Sequence, residues 1–254
     1  MYKRNFYQLP LIVLGLALLL LSCKKNEDTE LRPVNASLSI YMQHVVKGVP
    51  VAFDNIQYQN LFGNLYSVSR IQYFVSDFLL TLNDGSTVFI DEAFYVDARD
   101  EASLVLKPST KIPIGDYAGI SFVFGLTEEK NVAGRYPNPP ENNMEWPPAL
   151  GSGYHYMKLE GKVDSAGTIN NFQAHTGPTF GNQNYIRISL PGVSFSTSGE
   201  ETGFAINMDI NQWWESPNTF DLNLMTMVMG NQEVQQKLHD NGMSVFSFEP
   251  LISI

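Results

Sequence analysis

The sequence predicts an all-β fold: a single antiparallel β-sandwich with Greek-key-like connections, long loops and one short C-terminal helix. Three observations carry this prediction. Aromatic and β-branched runs with period-2 alternation recur along the chain. Gly, Pro, Asn and Asp fall between them at short intervals, and one stretch only has clear helical spacing. The 254 residues contain no low-complexity linker and no fixed-period repeat, which suits one large β domain.

The N-terminal segment sets the address. Lys3 and Arg4 precede the apolar run "LPLIVLGLALLL", which is too short for a comfortable membrane span. Residues 1–22 therefore read as a signal peptide. "LLSC" resembles a bacterial lipobox, so Cys23, the single cysteine of the chain, is expected to carry the lipid. Acylation would also remove a lone thiol from an oxidising compartment. Residues 23–35 are polar and charged and read as a flexible tether, leaving 36–254 as the β domain. The expected product is an outer-membrane lipoprotein, facing the periplasm or the cell surface, that touches the membrane through its anchor at Cys23.

Within the domain, "NASLSIYMQHVV" places Leu38, Ile40, Met42 and then His44 on one apolar face. "LYSVSRIQYFVSDFLLTL" is a long strand, "NDG" a hairpin signal, and "STVFIDEAFYVDA" the returning strand. "SLVLKPSTKIPIGDYAGISFVFGL" reads as strand, proline-rich turn and strand. "GYHYMKLEGKVD", "NYIRISLPGVSF", "GFAINMDI" and "FDLNLMTMVM" supply further strands. In the first of these, alternation puts His155 on the apolar face with Met157 and Leu159, a structural role. In the last, Met225, Met227 and Met229 share one face; thioethers suit soft Cu(I), but methionine is also a routine core filler. "INQWWESP" predicts a short helical turn. "NQEVQQKLHDNG" predicts the helix, with Asn231 as N-cap, His239 in the last turn and Asn241-Gly242 as the stop. Residues 127–153, dense in Pro, Gly and Asn, form the longest irregular segment, and loops of that length are functional or disordered.

Several function classes are disfavoured. The formal charge is −10, loss of Lys3 and Arg4 with the leader makes the remainder more acidic, and no basic cluster exists to hold nucleic acid. A G-x-S-x-G elbow, a phosphate loop before a helix and a C-x-x-C-H haem motif are all missing, so the chain is not expected to be an enzyme. Paired carboxylates of a glycosidase need not be close in sequence and stay open as a distant reading. The four histidines, His44, His155, His175 and His239, lack the short spacing of an obvious metal motif. A metal site would have to be assembled through the fold.

Taken together, several segments resemble the MbnP-like domain family. They are the histidine-bearing first strand with "KGVP" and "YQNLFGNLYSVSRIQYFVS", then "IPIGDYAGISFVFGL", "MEWPPALGSGYHYMKLEG", "FQAHTG" and "MGNQEVQQKLHDNGMSVFSF". Their order covers nearly the whole mature chain. The resemblance implies an exported copper-binding carrier or scavenger, of a family named for its association with methanobactin copper uptake and paired with a dihaem cytochrome-c-peroxidase-like partner. In copper-binding relatives that partner oxidises a tryptophan to kynurenine, which joins histidines around the metal. By position, the resemblance implies Trp146 as that tryptophan and His175 and His44 as the histidines. Pro148 stands where some copper-binding relatives have a histidine, and His155 matches no family ligand. The alternative is a cell-surface interaction or glycan-binding module without metal, with Tyr136, Trp146 and Tyr154 of the 127–153 segment as rigid aromatic contacts.

Overall fold

Alternating burial turns the predicted strands into two stacked sheets in the computed structural model, which describes residues 34–251. The signal peptide, Cys23 and the tether up to residue 33 lie outside the described residues. In β1 (Asn35–Val46), Ala36, Leu38, Ile40, Met42, His44 and Val46 are buried, every second residue. Two short strands follow, β2 (Val49–Pro50) and β3 (Tyr58–Gln59). The long β4 (Leu65–Leu82) then turns into β5 (Thr87–Asp97) at Asn83-Asp84-Gly85. Gly85, at φ 86°, allows that turn, and Leu82 N–H and Ser86 C=O close it at 2.9 Å. The strands β6 (Val105–Leu106), β7 (Ile112–Pro113) and β8 (Gly115–Phe124) complete the first half.

The second half holds β9 (Met157–Ser165), β10 (Thr168–Thr176), β11 (Ile186–Ser189), β12 (Phe195–Thr197), β13 (Glu201–Asp209), helix α1 (Gln232–Gly242) and β14 (Phe246–Pro250). One sheet runs β14-β13-β1-β2, with β6 and β7 also on β1. The other runs β10-β9-β4-β8-β11, with β3 and β5 on β4 and β12 on β8. Their facing sides close on a core that includes Tyr73, Phe122, Phe124, Trp213 and Phe246, all buried. Trp213 and Phe246 each lie within 5.3 Å, centroid to centroid, of Phe124. Each such large side chain contributes about 1.5–3 kcal/mol on burial.

The all-β sandwich, the NDG hairpin, the 3-10 turn at Ile210–Trp214 and the helix capped by Asn231 match the sequence expectations. Three details differ. The pair β1 and β13 is parallel; the intervening chain builds the entire second sheet, so β13 re-enters after a crossover and is not bound to hairpin polarity. The "FDLNLMTMVM" run is not a strand. Asp221 accepts from the backbone N–H of Asn223 and starts a 3-10 turn, Leu222–Leu224, so local bonds replace a ladder. Met225 is consequently buried, Met227 exposed and Met229 half-buried, so the three do not lie on one strand face. The third difference concerns "GYHYMKLEGKVD", where the ladder begins only at Met157 and a bend at Tyr156 breaks the alternation that put His155 in the core.

Segment 127–153 is folded over the outer face of the eight-stranded sheet. A second apolar cluster of Phe74, Leu126, Met144, Tyr154 and Tyr156, flanked by Tyr136, fills the space beneath it. Tyr136 stacks on Phe74 at 5.5 Å, and Tyr154 meets both.

Candidate metal centre

A short two-stranded contact delivers the site. Trp146 N–H donates to Gly153 C=O at 2.8 Å, and His155 N–H to Met144 C=O at 2.6 Å, so Met144–Trp146 and Gly153–His155 lie side by side. The intervening Pro147-Pro148 and Gly-Ser-Gly residues make the reversal. Gly153 sits at φ +84°, and an added Cβ would come within 2.6 Å of Asn131 Oδ1, the atom that accepts from Tyr154 N–H. Behind the indole of Trp146 runs Gly177, where a Cβ would stand 2.6 Å from Trp146 Cε3. The tryptophan is thus held flat against glycine backbone at the end of β10.

The structure brings three rings together. Trp146 and His155 lie 4.7 Å apart between centroids, and His155 and His175 lie 5.1 Å apart, both pairs edge to face. Each imidazole has one nitrogen committed. His155 Nδ1–H donates to Met144 C=O at 2.9 Å, which leaves Nε2 as the lone-pair nitrogen. His175 Nε2–H donates to Glu160 Oε1 at 2.9 Å, which leaves Nδ1. That hydrogen bond, with Arg70 Nη1 also 2.9 Å from Glu160 Oε1, holds the Glu160 carboxyl below its ordinary range and so ionised. Burial pushes the His155 pKa down to about 3, so its ring is neutral at physiological pH.

His44 is elsewhere. Its ring lies on the inner side of the eight-stranded sheet, sharing a 3.0 Å hydrogen bond between Nε2 and the Tyr73 hydroxyl. In β10 the inward residues are Phe172, Ala174 and Thr176, so His175 faces outward, where Glu160 binds it. The sheet stands between the two histidines, and His44 does not join His175. The residue that does is His155, which strand parity had assigned to the core. The clue available in sequence was the Pro-Pro and Gly-Ser-Gly hinge just ahead of it, which makes parity across that point unsafe. The aromatic contact surface of the alternative reading is not assembled either: Trp146 and Tyr154 are buried, and Tyr136 is half-buried in the stack on Phe74.

The family model of MbnP matches residues 35–233. The chain belongs to the MbnP family. Its fold is similar to that of MbnP from Methylosinus trichosporium, with a TM-score of 0.56 and 14% identity over 86% of this chain and 99% of that one. No curated protein matches the chain.

For a metal, this MbnP domain offers few donors. Among the described residues no group of three or more His, Cys, Asp or Glu side chains is placed to hold an ion. Two imidazoles, each with one ring N–H fixed by a carbonyl or carboxylate, form the supporting pattern that metal-bound histidines use. The unmodified indole of Trp146 adds no donor, since its Nε1 carries a hydrogen and no free lone pair; that buried N–H has no hydrogen-bond partner, as is also true of Trp213 and Trp214. An orphaned donor of this kind costs about 1–3 kcal/mol. A pair of imidazole nitrogens, with the nearby Glu160 carboxylate already taken up by His175 and Arg70, fits copper better than magnesium or calcium, which need several oxygen ligands.

Proposed function

We propose that this MbnP-family chain is an exported, lipid-anchored copper carrier, not a catalyst, and that it holds Cu(I) between His155 Nε2 and His175 Nδ1 beside Trp146. The observation that carries the reading is the imidazole pair, 5.1 Å apart between centroids, each ring with one nitrogen tied by a hydrogen bond, His155 Nδ1 to Met144 C=O and His175 Nε2 to Glu160. Cu(I) is satisfied by few soft or imidazole donors, and selection by ligand type is how such sites reject harder ions. Burial of His155 supports the same reading, because a ring that stays neutral never has to release a proton to bind metal near pH 7.

Trp146 has a further role in this proposal. Family membership supports its oxidation to kynurenine by a dihaem peroxidase-like partner, and the arylamine so formed would be an additional nitrogen donor next to His155. The lipobox-like Cys23 supports the outer-membrane address.

The test is a Cu(I) competition titration against a chromophoric chelator. His155→Ala and His175→Ala should each weaken binding by at least about tenfold, whereas His239→Ala, on the exposed helix, and His44→Phe should not. Equal affinities across the four variants would refute the site. Mass analysis of protein purified with and without the haem partner locates any kynurenine at position 146.

A further inference from the structure

His175 has a second neighbourhood. On its open side it lines a groove of about 580 Å³ together with Gln173, Met227, Met229, Asn231 and Gln232. The methionines there are unusually placed. Met227 is 84% exposed, and Met229 is only half-buried, although thioethers normally fill cores. Nor is the segment that carries them loosely hung. The buried Gln235 side chain donates from Nε2 to His175 C=O at 2.8 Å and to Val228 C=O at 3.1 Å, and Thr179 Oγ1–H donates to Met229 C=O at 3.2 Å. Gln173 N–H closes the other end on Met225 C=O at 2.9 Å. One glutamine therefore ties the methionine segment to the strand residue whose ring belongs to both the groove and the imidazole pair.

We infer that Met227 and Met229 form a thioether docking site for a soft monovalent cation, from which Cu(I) passes to His175. This inference rests on the copper reading above for the destination, but the docking site itself is defined by the groove. Thioethers are neutral, cannot be protonated and select Cu(I) over hard ions. Transfer is a ligand exchange in which a sulfur–copper bond is replaced by a nitrogen–copper bond, and copper keeps its oxidation state. An exposed methionine makes the first contact, and the half-buried one stands deeper in the same groove.

Methyl-13C methionine NMR with Ag(I), a redox-silent stand-in for Cu(I), tests the docking site independently of the imidazoles. In a His155→Ala/His175→Ala variant, the Met227 and Met229 methyl signals should shift while Met243, exposed near the end of α1, does not. Absence of a shift at 227 and 229, or an equal shift at 243, overturns the docking site, whatever the titration of the imidazole pair shows. If that double variant fails to fold, the same titration on the wild-type chain past one equivalent reads the same signals. Stopped-flow loading from a Cu(I) chelate tests the transfer. Met227→Leu/Met229→Leu should slow loading by about tenfold and Met243→Leu should not; an unchanged rate overturns the relay. Methyl shifts at 227 and 229 in a chain whose imidazole pair takes no copper would overturn the carrier reading and the relay while sustaining the docking site.

Discussion

Glu160 decides how His175 is presented. Its carboxylate receives His175 Nε2–H and is itself held by Arg70, which fixes the ring and leaves Nδ1 without a hydrogen bond to the protein. Glu160→Gln keeps the shape but removes the charge that orients the imidazole. Supporting partners of metal-bound histidines are worth about 10–100-fold in affinity, and a competition titration of this variant should show a loss in that range with the fold intact by circular dichroism. Gly177 acts at the same scale by contact. A methyl group there meets the Trp146 ring at 2.6 Å, so Gly177→Ala should cost about 1–3 kcal/mol of stability in urea unfolding and alter tryptophan fluorescence. An unchanged midpoint would mean that the indole is not pinned against that backbone.

At the scale of elements, the site depends on how segment 127–153 is folded down. The anchors are Tyr136 and Tyr154 on Phe74, Lys158 Nζ donating to Asn143 C=O at 2.6 Å, and the reversal at Gly153. Gly153→Ala combines a left-handed backbone with a 2.6 Å approach to Asn131 Oδ1. It should release the segment at a cost of about 1–3 kcal/mol, read as faster protease cutting within 127–153 than in the wild type. β1 was legible because one face is buried against the other sheet and period 2 survives along it, and β4 because its long run of aromatic and β-branched residues marks a strand even where bulges and burial on both faces break the alternation. Cap chemistry made α1 legible through Asn231. His155 was not legible, because its place depends on a bend and on hydrogen bonds to Met144, which tertiary contact alone sets. The methionine run failed for a related reason: Asp221 and the 3-10 turn outcompete strand pairing that the pattern by itself would allow.

Across the whole molecule, His44 gives the interior a pH-dependent weakness unrelated to copper. Burial pushes its pKa down from 6.5 to about 4, while the nearby Asp97 partly opposes the shift. Below pH 6.5 the unfolded chain takes up a proton there that the folded chain refuses until about pH 4. The associated stability is complete above pH 6.5 and is lost as pH falls through that window. Its slope reaches at most about 1.4 kcal/mol per pH unit. Urea midpoints measured between pH 7 and pH 4 should fall less steeply for His44→Phe than for the wild type; parallel curves would place the pH dependence in other groups.

The sandwich thus keeps one histidine inside as structure and lays a long loop over its outer face to bring Trp146 and His155 to His175. The most direct measurement of that division is anomalous diffraction at the copper edge from crystals of the Cu(I)-loaded chain. The account predicts a single strong peak between His155 Nε2 and His175 Nδ1, beside Trp146. A peak at His44 and Tyr73, or copper confined to sites that include neither His155 nor His175, would contradict it.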